Sequence, residues 1–114
     1  KETLTLPIKK KWLDMILYGK KKEEYREIKP YYNSRFAKAL GISQDIIFYE
    51  WWNNKIEIDT NMDICFRNGY SAKSPSFIAK CELSIGIGRA EWGAEPGKDY
   101  YKLTIKEITE RSGC

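Results

Sequence analysis

The 114-residue chain contains no histidine. That excludes Ser-His-Asp and Cys-His catalysis and every zinc site that relies on imidazole. Cysteine is scarce: Cys65, Cys81 and Cys114, an odd number with no C-x-x-C spacing. This excludes a disulfide framework and a thiolate zinc centre. No run approaches the roughly 20 apolar residues that cross a bilayer. No apolar segment with a small-residue cleavage site follows the first lysine, so no secretory leader is expected. No metal, no cofactor and no membrane partner is expected, and the free thiols point to the cytoplasm.

What is present fits one globular domain over residues 1–114, with 42% hydrophobic and 32% charged residues. The net charge of +4 is unevenly placed. Residues 1–29 hold nine Lys/Arg and five Asp/Glu, whereas residues 30–114 hold eleven of each. The whole excess lies in the first quarter, which is an electrostatic footprint for phosphate or else a solvated lysine face.

Alternation of Leu4, Leu6 and Ile8 predicts a strand over 3–8. Trp12, Leu13, Ile16 and Leu17 then take helical spacing over 9–18, and Gly19 closes that helix. Residues 20–29 read as a charged strand, with Glu24 and Arg26 on one face and Glu23 and Tyr25 on the other. Pro30 opens a second helix, carried by Tyr32, Phe36 and Leu40 and closed by Gly41. The apolar and aromatic run 45–52 reads as a buried strand, followed by a short strand over 55–59. Residues 62–67, 77–87 and 101–105 alternate as strands. Gly86 and Gly88 suggest a bend in the long one. Cys65 and Cys81 fall at core positions within strands. Two early helices followed by strands give an α+β fold with a mostly antiparallel sheet, and the long bent strand predicts a closed or nearly closed barrel.

One constellation stands out. Gly19, Lys21, Glu24 and Arg26 form the pattern G-x-K-x-x-E-x-R. It places a glycine turn after a helix, a lysine on the turn, and a glutamate and an arginine on one strand face. Glu24 can orient either cation through a charge-assisted hydrogen bond. Arg26 can hold a phosphate or carboxylate bidentately, and Lys21 adds a mobile positive charge.

The pattern resembles the signature of the ASCH (activating signal cointegrator homology) domain family, part of the PUA-like superfamily. The strand and amphipathic helix ahead of it support the resemblance. So do the segments Phe66-Arg67-Asn68-Gly69-Tyr70, Ser74-Pro75-Ser76-Phe77 and Glu91-Trp92-Gly93-Ala94-Glu95-Pro96-Gly97, which are similar to those of small stand-alone bacterial and phage members. The resemblance covers essentially the whole chain. It implies a PUA-like β-barrel whose motif-lined cleft binds RNA. One ASCH branch comprises amidohydrolases of acetylated cytidine that use a Lys, a Thr three residues later and a distant Glu. Here Lys21 is present, Glu24 stands at the Thr position, and Glu82 is the natural distant carboxylate.

Three readings follow. The first is a module binding RNA or a nucleotide-like ligand through Gly19, Lys21, Glu24, Arg26, Arg67 and Asn68, with exposed aromatics such as Tyr70 or the Trp51-Trp52 pair stacking bases. Tyr25, on the face opposite Arg26, need not belong to that site. The second is a small hydrolase of a modified nucleoside using Lys21, Glu24 and Glu82, or a ribonuclease, which would lack the usual histidine acid–base pair. The third is a protein-interaction module using the Trp92 loop and the Trp51-Trp52 run.

Overall fold

The computed structural model describes residues 3–47 and 59–113. Its elements run β1 (Leu4–Pro7), α1 (Lys10–Leu17), β2 (Glu23–Arg26), α2 (Pro30–Leu40), β3 (Asn61–Arg67), β4 (Ser76–Ile87), a 3-10 turn (Ala90–Trp92) and β5 (Asp99–Ser112). This is an α+β fold. The described strands form one sheet in the order β1-β3-β4-β5-β2. The β1–β3 pairing is parallel and the other three are antiparallel.

The strand register fixes two faces. Leu6 lies beside Phe66 and Phe66 beside Phe77. Leu103 lies between Glu24 and Leu83, and Tyr101 between Arg26 and Ile85. On this inner face Leu6, Ile64, Phe66, Phe77, Ala79, Cys81, Leu83, Tyr101 and Leu103 are buried. Both helices pack their apolar stripes here, α1 through Leu13 and Ile16 and α2 through Phe36, Ala37 and Leu40. Pro30 opens α2 and Gly41, at φ 73°, closes it in the left-handed region.

Among the described residues the sheet is open between β1 and β2, so full closure of the closed or nearly closed barrel expected from the long strand is not seen. It nevertheless curls strongly. Four steps of about 4.8 Å would put the edges of a flat sheet roughly 19 Å apart. Instead, Nη2 of Arg26 on β2 donates to the Pro7 carbonyl on β1 at 2.7 Å. A side chain, not a backbone ladder, spans the seam.

Other expectations change as well. The charged strand covers only Glu23–Arg26, because the N–H groups of Lys20 and Lys21 are held in the turn by the Met15 carbonyl. The irregularities of β4 sit at Ile78/Ala79 and Lys80/Cys81 rather than at Gly86 and Gly88. The last strand runs on to Ser112, well beyond 105. Asp45–Ile47, expected as the start of a strand, is helical from Gln44. Ser43 accepts there from the N–H groups of Ile46, through its hydroxyl, and Ile47, through its carbonyl. The rest of that expected strand, with Trp51 and Trp52, and positions 55–58 of the next lie outside the described residues. Among the described residues, no helix is long and apolar enough to cross a membrane.

Candidate functional site

A cleft of about 680 Å³ lies at the seam. β1 contributes Pro7, with Ile8 just beyond it; β2 contributes Glu24, Tyr25 and Arg26. Trp12, Tyr32 and Tyr100 add aromatic wall, and Lys9, Lys29 and Lys98 add cations. Asn68, Gly69 and Tyr70, which follow β3, complete one side. The Tyr70 ring is wholly exposed at that side.

Glu24 and Arg26 form the floor, with Lys21 behind Glu24. Lys21, Glu24 and Arg26 are only 1%, 5% and 9% exposed. Glu24 sits between the two cations, with Oε1 3.0 Å from Lys21 Nζ and Oε2 2.7 Å from Arg26 Nη2. Lys21 Nζ also donates to the Trp92 carbonyl and lies 4.2 Å from the centre of the Trp12 ring. Burial lowers the pKa of Lys21 from the ordinary lysine value, and neighbouring Glu24 opposes that shift. The surrounding turn is pinned in return, because Trp92 Nε1 donates to the Lys20 carbonyl at 2.9 Å.

Arg26 is already committed on one side. Its Nη2 serves both Glu24 and the Pro7 carbonyl, while Nη1 has a long 3.5 Å contact to the Tyr32 hydroxyl. The cluster thus holds two cations and one carboxylate in a nearly dry setting. Lys21 does not line the cleft; it lies behind Glu24. The mobile charge expected of it is absent, because its three partners hold it in place.

Gly19, at φ 76°, is exposed and supplies the turn after α1 rather than a wall of the cleft. Asn68 lines the cleft, and its Nδ2 donates to the Ile8 carbonyl at 2.8 Å, tying β1 to the loop after β3. Arg67 does not line the cleft; its carbonyl accepts from Ile8 N–H, and its Nε is buried without a hydrogen-bond partner. Glu82 is exposed, on the opposite face of the sheet from Glu24. It lies beside Thr104 and Asn61 and pairs with Lys106 at 3.7 Å. It is not assembled with Lys21 and Glu24.

Tyr25 does belong to the cleft, although it alternates away from Arg26. Its hydroxyl donates to Glu23 at 2.7 Å and accepts from the Arg89 N–H at 3.0 Å, which fixes the ring. Gly88 makes room for it: a Cβ there would stand 2.7 Å from the ring. Trp12, Tyr32, Tyr100 and the carbonyls of Pro7 and Trp92 carry no site signal in the sequence. Trp12 and Tyr32 read as helix core positions, and backbone carbonyls leave no mark in a sequence.

Among the described residues, no group of three or more His, Cys, Asp or Glu is gathered to hold a metal ion. The chain matches no protein-family model, no curated protein and no solved structure.

Proposed function

We propose that the chain is an RNA-binding ASCH domain of PUA-like type, and that its cleft takes one nucleotide unit of a single strand. The observation that carries this reading is the cation surplus of the buried cluster whose Arg26 reaches the cleft. Lys21 and Arg26 share one carboxylate, and burying unbalanced charge is costly. A phosphate against Arg26 completes the balance. Lys9 and Lys29 add cations at the mouth, where Glu27 and a Lys98–Glu95 pair at 3.9 Å also lie, and Trp12, Tyr25, Tyr32, Tyr70 and Tyr100 offer faces for a base. The buried thiols of Cys65 and Cys81 suit a reducing cytoplasm.

Hydrolysis of an acylated nucleoside has less support. Lys21 is walled off from the cleft, Glu24 replaces the hydroxyl, and Glu82 faces the other way.

The test is fluorescence anisotropy of a labelled ten-nucleotide oligouridylate, titrated at 50 and 150 mM salt. Steeply salt-dependent binding is expected. Tyr70→Ala, at a fully exposed position, is expected to weaken it about fivefold or more, since stacking is worth roughly 1–3 kcal/mol per base. Absence of binding, or an affinity unmoved by both Tyr70→Ala and Lys29→Gln, would overturn the reading.

A further inference from the structure

The cleft occupies the Pro7 end of β1. At the Leu4 end lies a second hollow of about 410 Å³, between the start of β1 and α2. It is lined by Thr3, Leu4 and Thr5 on one side and Ser34, Arg35 and Lys38 on the other. Unlike the cleft, it has no carboxylate in its walls among the described residues.

Neither Arg35 nor Lys38 forms an ion pair among the described residues. Arg35 is nonetheless held in place. Its guanidinium lies 3.4 Å from the centre of the Tyr31 ring, and Nη1 donates to the Tyr31 carbonyl at 3.2 Å. A guanidinium fixed in this way keeps further donors for an anion and loses little freedom when it binds one. The Ser34 hydroxyl proton goes to the Tyr31 carbonyl, so the donors left for a ligand are Thr3, Thr5, Arg35 and Lys38.

The hollow and the cleft are joined by one helix, α2, which contributes residues to both on adjacent faces. Tyr31, Arg35 and Lys38 follow at i, i+4 and i+7, a single stripe. Residues 30–40 contain no Asp or Glu. Tyr32 and Lys29, at the start of the same helix, line the cleft. From Tyr32 to Lys38 the axis advances about 9 Å. One phosphate cannot reach both hollows; a short oligonucleotide can.

Resting on the RNA reading of the cleft, we infer that the hollow between β1 and α2 is a second phosphate subsite, and that single-stranded RNA crosses α2 from the cleft to Arg35 and Lys38. Tyr31, about half exposed, lies on that path as a stacking surface.

The test compares the wild-type protein with Arg35→Gln/Lys38→Gln, both at surface-accessible positions. The probes are the ten-nucleotide oligouridylate and uridine 5′-monophosphate. The double variant is expected to bind the oligonucleotide more weakly. Its log–log salt slope should be shallower by about 0.7, the value per lost phosphate contact on a single strand. Mononucleotide affinity should be unchanged. An unaltered oligonucleotide slope overturns the second subsite, as does an equal loss for both probes. Inorganic phosphate, followed by amide NMR shifts, separates this from failure of the cleft reading. Shifts at Thr3, Thr5, Arg35 and Lys38 that vanish in the double variant support the subsite. Their absence overturns it whatever the cleft does. Shifts there in a protein that binds no RNA of any length overturn the RNA path and leave the hollow to an anionic protein segment.

Discussion

Replacing Glu24 by glutamine tests the charge balance of the cleft floor. The side chain keeps its shape but loses its charge, leaving Lys21 and Arg26 buried without a counterion. At separations of 3.0 and 2.7 Å each pair is worth about 6 kcal/mol at an effective dielectric near 20. Much of that offsets the cost of taking the ions out of water, so the net loss expected is about 3–5 kcal/mol. Urea unfolding at pH 7, followed by tryptophan fluorescence, measures it. The loss should also shrink as pH rises. Burial already lowers the pKa of Lys21, and without Glu24 nothing as strong opposes that shift. The unfolded chain then binds the proton more tightly than the native one, so native stability rises with pH toward 10.5, the ordinary lysine value. Adding Lys21→Met to Glu24→Gln should recover part of the loss, because one buried cation is removed. A Glu24→Gln protein within 1 kcal/mol of the wild type, with no pH dependence of the difference, would refute the argument that this carboxylate balances two dry cations.

Other outcomes follow from the packing. Gly88→Ala should push the Tyr25 ring out of the cleft wall, since the added Cβ would lie 2.7 Å from both Tyr25 and Ala94. Oligouridylate affinity should fall, and an unchanged affinity would remove Tyr25 from the site. Phe36→Ala should cost about 3–5 kcal/mol in denaturant unfolding, because the ring is fully buried and packs edge-on against Tyr101 at 4.8 Å. In alkali the wild-type protein should lose stability above about pH 10.5. Burial pushes the Cys81 thiol from 9.0 to about 12 and the Tyr101 hydroxyl from 10.0 to about 12, so the unfolded chain gives up these protons first. A flat stability profile between about pH 10.5 and 11.5, above the range in which the lowered Lys21 pKa gives an opposite slope, would contradict it.

Much of this architecture is legible in the residues. Pro30 and Gly41 mark both ends of α2 because each restricts or relaxes the backbone at one defined place. The alternation of 77–87 marks β4 because one face is buried along most of its length. The far half of β5 lacks that pattern. Lys106, Glu107, Thr109 and Glu110 are all exposed, and the strand is held by pairing with β4 rather than by burial. The aromatic run after Asp45 reads as a strand and hides the signal of Ser43, whose side chain supports a helix start. Within the site, the two-residue spacing of Glu24 and Arg26 is enough to set them on one face. The same rule removes Glu82: with Cys81 and Leu83 facing the core, it must face away. Lys21 is different. Its burial depends on the Trp92 carbonyl, 71 residues away, and nothing local announces that contact.

The seam also bears on how the molecule comes together. β3, β4 and β5 are successive strands that pair as neighbours. β1 must instead find β3, with Leu4 opposite Ile64, and β2 must find β5, with Glu24 opposite Leu103. These are the sheet's pairings with the greatest sequence separation, and they carry the larger loop-closure entropy. The cleft is made where the two meet. A chain that has formed only the β3–β4–β5 meander has no cleft, so ligand binding reports the completed fold and stabilises that state alone.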